Sequence, residues 1–154
     1  MFSTSHLPTL GLLAGLAAAS LGTAGTAAAA SQEFVAIEHA GTNPVTDIGT
    51  AGDSTGDILT FSNEVFDAGN VDRIGTSQGS CVRTVVAVKW ECTWSVSLAD
   101  GQITLQGPYY DSGASTFAVT GGTGAFGTAA GELVVSPIGT DGKASNFDFR
   151  LQGV

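Results

Sequence analysis

Downstream of residue 32 the apolar residues of this chain do not recur every three to four positions; they alternate singly. Trp94, Val96 and Leu98 stand against Thr93, Ser95 and Ser97, and Phe147, Phe149 and Leu151 against Asn146, Asp148 and Arg150. Extended backbone points successive side chains to opposite faces, so each run has one buried and one wet face. Runs rich in Val, Ile, Thr, Phe and Trp recur between clusters of Gly, Asp, Asn and Ser. They predict strands near Glu33–His39, Asp57–Asn63, Val71–Gln78, Ser80–Val85, Lys89–Leu98, Gln102–Gln106, Thr116–Thr120, Glu132–Ser136 and Asn146–Leu151. Ala99, Asp100 and Gly101 supply the strongest hairpin signal. One-sided strands in series, with no helix to cover a sheet, close most economically into a barrel, which also removes the edges. The expected fold is all-β: an eight-stranded antiparallel up-and-down barrel, wide enough inside for side chains or one small ligand.

Ahead of the strands, Leu7 through Leu21 is an apolar run of Leu, Ala and Gly that ends in Ala27–Ala30 before the polar Ser31. It reads as a secretory signal cleaved near Ala30, which leaves residues 31–154 as one exported domain. No later stretch is apolar and long enough to span a bilayer as a helix. Five Lys plus Arg against 14 Asp plus Glu give a net charge of −9, which argues against a nucleic-acid partner, since phosphates demand a basic face. A small-molecule partner is what remains.

Export sets the redox context for Cys81 and Cys92, which flank Val85–Val88. A four-residue loop there places residue 84 opposite 89 and, three pairs on, Cys81 opposite Cys92. A disulfide is the default for two cysteines in an exported chain, with a catalytic thiol as the alternative.

Several motif matches lack their required context. Gly75-Thr76-Ser77-Gln78-Gly79 fits the hydrolase elbow, yet no helix follows, and His39 lies upstream of Ser77. Gly122-Thr123-Gly124-Ala125-Phe126-Gly127 fits a dinucleotide fingerprint without the parallel βαβ unit it serves. A tight glycine turn against the barrel end is the better reading. One histidine beyond the leader and a paired cysteine set build no zinc shell. Asp53 and Asp57 in GDSTGD lack the distal Glu of a calcium loop and read as solvated turn carboxylates. No metal and no cofactor are expected.

In combination, GDILTFSNEVFD (Gly56–Asp67), DRIGTSQGSCV (Asp72–Val82), ITLQGPY (Ile103–Tyr109) and STFAVTGGTGAF (Ser115–Phe126) resemble the allene oxide cyclases. The related dirigent proteins share the GGTG turn. The resemblance implies an eight-stranded antiparallel barrel, often trimeric, so a homotrimer is a candidate assembly. It also implies an apolar small molecule as ligand and a cofactor-free reaction in which an apolar cavity folds an unstable fatty-acid epoxide into a cyclopentenone. The family's pocket asparagine matches Asn63, its pocket cysteine Cys81, and a water-holding proline Pro44. Its first-strand glutamate falls on Ala36 and the following asparagine on Glu38, so a carboxylate has moved two residues along one face. The alternative is that Glu38 and His39 are strand-end surface residues. Cys92 replaces an apolar residue opposite the family cysteine, and Gly127 and Ala130 stand where dirigent proteins carry arginines.

Two functions follow from different classes. An exported cofactor-independent cyclase or isomerase would use Asn63 to hydrogen-bond a substrate oxygen or a water and Glu38 to offset cationic charge. Phe61, Trp94 and Phe147 would shape its cavity. A dirigent- or lipocalin-like barrel would bind an apolar metabolite without turnover. A barrel filled with side chains is the blandest outcome. Trp90 and Trp94, four apart on one strand face, either share the core or leave one at the mouth.

Overall fold

The computed structural model describes residues 30–154; the expected signal segment before Ala30 lies outside the described residues. Each alternating run becomes a strand: β1 (Ser31–His39), β2 (Val45–Thr46), β3 (Ile58–Asp67), β4 (Arg73–Val85), β5 (Lys89–Leu98), β6 (Gly101–Tyr110), β7 (Ser115–Gly122), β8 (Ala130–Ile138) and β9 (Ala144–Gln152). From β3 to β9 every strand pairs antiparallel with the next in sequence, and β9 pairs with β1. β1 then pairs with β3, which closes eight strands into a barrel. The ninth, β2, is a two-residue addition to β3, too short to carry a periodic signal.

Two expected strands, Val71–Gln78 and Ser80–Val85, are one. Gly79 does not interrupt β4; it lies opposite Trp94, where an added Cβ would come within 2.4 Å of the Trp94 Cβ. Glycine here allows close strand approach beside a large ring. The β4–β5 loop is also shorter than expected. Val85 pairs with Lys89 and the register slips between Arg83 and Val85, so residue 84 does not face 89. The connection is residues 86–88, with Ala87 at φ 55°, as suits a short loop carrying a bulge. Beyond the slip the pairing resumes, Cys81 faces Cys92, and the two form a disulfide.

Inward faces fill the barrel below its midpoint. Val96, Ile103, Leu105, Phe117, Leu133, Phe149 and Leu151 are buried almost completely. Trp94 lies at mid-height, with ring centroids of Phe117, Phe61 and Phe147 at 4.8, 5.3 and 5.6 Å. The glycine-rich turn becomes a single 3₁₀ turn, Gly124–Phe126, whose Phe126 closes the floor. Gly124 has φ 60°, and a Cβ on it would meet Asp100 O at 2.2 Å, so the glycines serve tight packing against the β5–β6 hairpin.

The opposite end is clamped by charges. Asp57 is buried and accepts hydrogen bonds from Ile48 N, Ser54 N and the Ser54 hydroxyl. The first two hold its carboxyl below the usual range. It is therefore the staple of the loop before β3, and not a solvated turn carboxylate. Arg83, also buried, lies 2.7 Å from both Asp53 and Asp111, with its guanidinium 3.9 Å above the Trp90 ring. The Trp90 indole N–H donates to Asp111 as well. Trp90 and Trp94 are both buried in the one core cluster, Trp90 at its charged end.

The disulfide closes a short loop, which sets its contribution at about 3 kcal/mol in the chain-entropy estimate. Replacing Cys81 and Cys92 together by Ala is expected to lower the unfolding free energy by about that amount, read as a lowered urea midpoint with a slope that is equal or slightly steeper, because the freed unfolded chain exposes more surface.

Candidate functional site

The closing seam is incomplete. Pairing of β1 with β3 ends at His39↔Glu64, and β2 takes over only at Val45↔Leu59. Across the gap Thr60 N donates to Pro44 O, and Gly41 N donates to the Asn63 side-chain Oδ1 at 2.9 Å. A side chain thus fills part of a ladder the backbone leaves open. That bond fixes the amide: with Oδ1 occupied, Nδ2 faces the interior and donates to Glu38 Oε1 at 3.1 Å.

Glu38 is 7% exposed and points inward. Burial raises its pKa, while hydrogen bonding with Asn63 and Ser77 pulls it back in part. The strand-end surface reading therefore fails for Glu38. It holds for its neighbour His39, whose ring lies outside against Phe66 and whose Nε2 is 2.7 Å from Asn70 Oδ1. Ser77 pairs across the strands with Asn63 and is fully buried in mid-strand. It makes no well-directed hydrogen bond, and no elbow surrounds it.

The pair opens onto a cavity of about 110 Å³ at the barrel mouth. Leu59, Phe61, Trp94, Tyr109, Val135 and the Cys81–Cys92 disulfide wall it, and Ala40, Asn43, Gly142 and Ser145 form its rim. The Trp94 indole nitrogen is buried without a hydrogen-bond partner. Among the described residues, Glu38 is the only charged side chain of the lining. Burial and the nearby carboxylates of Glu38 and Asp111 push the Tyr109 hydroxyl above its ordinary pKa. Among the described residues no cluster of His, Cys, Asp and Glu is placed to hold a metal.

Of the residues singled out from sequence, Glu38, Asn63, Phe61, Cys81 and Trp94 meet at this cavity. Phe147 does not reach it; fully buried, it supports Trp94 from below. Pro44 is exposed, its carbonyl committed to Thr60, and Asn43 takes the place at the rim. Cys81 offers no thiol, because its sulfur is bonded to Cys92. Tyr109 and Leu59 were overlooked although alternation marks them: Tyr109 shares the inward parity of Ile103 and Leu105, and Leu59 that of Phe61. Asn43 and Gly142 lie on loops, where no periodicity reports direction.

The fold is a closed antiparallel barrel whose mouth brings a buried carboxyl and an oriented amide to one cavity. Residues 38–154 match the allene oxide cyclase family model, and the chain belongs to that family. Among solved structures it is similar to a pyocyanin demethylase at 25% identity and TM-score 0.66, covering 75% of this chain and 98% of that one. An exo-specific intermolecular Diels–Alderase aligns with TM-score 0.66 at 17% identity, covering 80% and 99% of the two chains. A pterocarpan synthase dirigent protein aligns with TM-score 0.68 at 14% identity over 89% and 96%. The last two share the fold.

A carboxyl whose pKa is raised on folding binds more protons in the folded than in the unfolded chain. Its contribution to stability is therefore complete below the unfolded value of 4.5 and is lost as pH rises through the folded value. Glu38→Gln keeps an acceptor for Asn63 and removes the buried charge. Its melting temperature should exceed that of the parent at neutral pH, and the difference should vanish at a pH below the unfolded value.

Proposed function

We propose that this protein is an exported, cofactor-independent cyclase or isomerase that rearranges a small apolar, oxygenated molecule at the Glu38–Asn63 pair. The observation that carries the reading is a buried carboxylate and an oriented amide converging on one cavity. Such a pair suits a reaction in which charge develops on an otherwise apolar substrate. Glu38 offsets positive charge or accepts a proton, and the second Asn63 N–H donates to a substrate oxygen. Phe61 and Trp94 exclude water and hold one folded conformer, which is most of what a substrate prone to rearrange requires. The family supports ring-forming chemistry, and the demethylase and Diels–Alderase relatives are named for transformations of small organic molecules.

An isomerisation leaves mass unchanged, and this gives the test. Purified protein incubated with small-molecule extract of its source should deplete one compound and produce another of identical mass, followed by liquid chromatography and mass spectrometry. Glu38→Gln should slow that conversion by about 100-fold or more, and Asn63→Ala by about 10-fold or more. A compound that co-purifies and is never converted would instead identify a binding barrel.

A further inference from the structure

The strand that closes the barrel leaves half of one edge open, at the end away from the Glu38–Asn63 cavity. Ala40 N donates to Lys143 O and Gly153 N donates to Ala30 O, and the register of β1 with β9 runs unbroken between them. The backbone groups of even-numbered residues in β1 therefore face β9, and those of odd-numbered residues face the other side. There Ile37 and His39 meet β3, and the pairing ends at Ala36↔Asp67. Among the described residues no strand pairs with Ser31, Glu33 and Val35 on that side, and all three are exposed. Each presents an N–H and a C=O to the open edge, along about 17 Å of strand.

The same stretch borders a groove of about 240 Å³. Gln32 and Phe34, which share the inward parity of Ala36 and Glu38, line it together with Ile74, Leu98, Phe126 and Asp100. A free ladder edge beside an apolar groove is the arrangement that accepts an added strand. Main-chain bonds hold such a strand, and its alternate side chains enter the groove. Its remaining side chains turn outward, the middle one opposite Glu33. Glu33 and Asp100 make no ion pair among the described residues. Arg150, which faces Glu33 from β9, is engaged by Glu132 and Asp148. Two copies joined edge to edge about a two-fold axis at Glu33 would set that carboxylate against its own image, which destabilises a ladder. A basic segment meets the opposite, on a chain of net charge −9. We propose that residues 31–35 of β1 are a docking edge for an extended peptide segment of another protein, with apolar residues over the groove and a basic residue opposite Glu33. The assignment stands apart from whatever the mouth cavity converts.

Three dye-labelled peptides, titrated with the purified protein by fluorescence anisotropy, test it. They are Lys-Val-Lys-Val-Lys, its Glu-Val-Glu-Val-Glu counterpart, and the first peptide N-methylated at its central lysine. The basic peptide should bind saturably and about 10-fold or more tightly than the acidic one. N-methylation keeps the charge and removes the donor that meets the Glu33 carbonyl, so it should weaken binding by about 10-fold. Glu33→Lys, a change at an exposed position, should narrow the preference for the basic peptide by about 5-fold. Bound basic peptide should also slow hydrogen exchange at the Glu33 and Val35 amides and leave the amides around the mouth cavity unchanged. No saturable binding, equal binding of the N-methylated form, or protection confined to other strands would overturn the proposal. Concentration-dependent self-association that protects the same two amides would overturn it as well, by giving the edge to a second copy of this chain.

Discussion

Closure of the barrel rests on β1, which pairs with β9 along its full length and with β3 over its last four residues. Without those last pairs the sheet would keep two free edges, and the apolar inner faces would have no far wall. The rows of Phe147, Phe149 and Leu151 on one side and Phe61 and Val65 on another are buried because this strand joins them. The site lies where that joint runs out. Past His39 the chain leaves β3, Asn63 reaches into the gap for Gly41, and the resulting orientation of its amide is what holds Glu38. Fold closure and site geometry are consequences of the same seam.

The surroundings keep that seam stiff. The disulfide fixes β4 to β5 at the cavity wall, and the Trp94 cluster fills the space beneath so that the floor cannot collapse upward. Arg83 ties the loop before β3 and the β6–β7 turn to one guanidinium, while Asp53 also accepts the Ala87 backbone N–H of the β4–β5 loop. Preorganisation of this kind is what a site with few polar groups depends on, since those groups act only if they are already aimed. Glu38 itself works against stability at neutral pH, because its charged form is buried without a cation. A buried residue that costs stability is more readily explained by function than by folding.

Much of this was legible in the sequence because the inward register is a period-two property. Trp94, Val96, Phe147 and Phe149 announce it, and the slip between Arg83 and Val85 offsets the shorter loop, so that Cys81 still faces Cys92 as a symmetric four-residue loop would have it. What escaped was set by features outside that period. Gly79 looks like a break between strands, and only the neighbouring Trp94 shows why glycine belongs inside one. Asp57 looks like a solvated turn acid, because its three donors come from a loop that sequence cannot fold. Pro44 and Asn43 differ by one position on a segment without regular structure, where no period tells which of them meets the cavity.

The displacement of the first-strand carboxylate gains its meaning from register. Ala36, where the resemblance puts the family's glutamate, pairs with Phe147 and is fully buried at the level of the aromatic floor. Glu38 pairs with Ser145 at the rim. Two residues of strand are about 6.6 Å, so the shift lifts the acid from the packed centre to the mouth without turning it out of the barrel. In the same interior Trp94, Phe117 and Phe147 occupy the centre. A carboxylate left at position 36 would be walled in among them, whereas at position 38 it meets whatever enters.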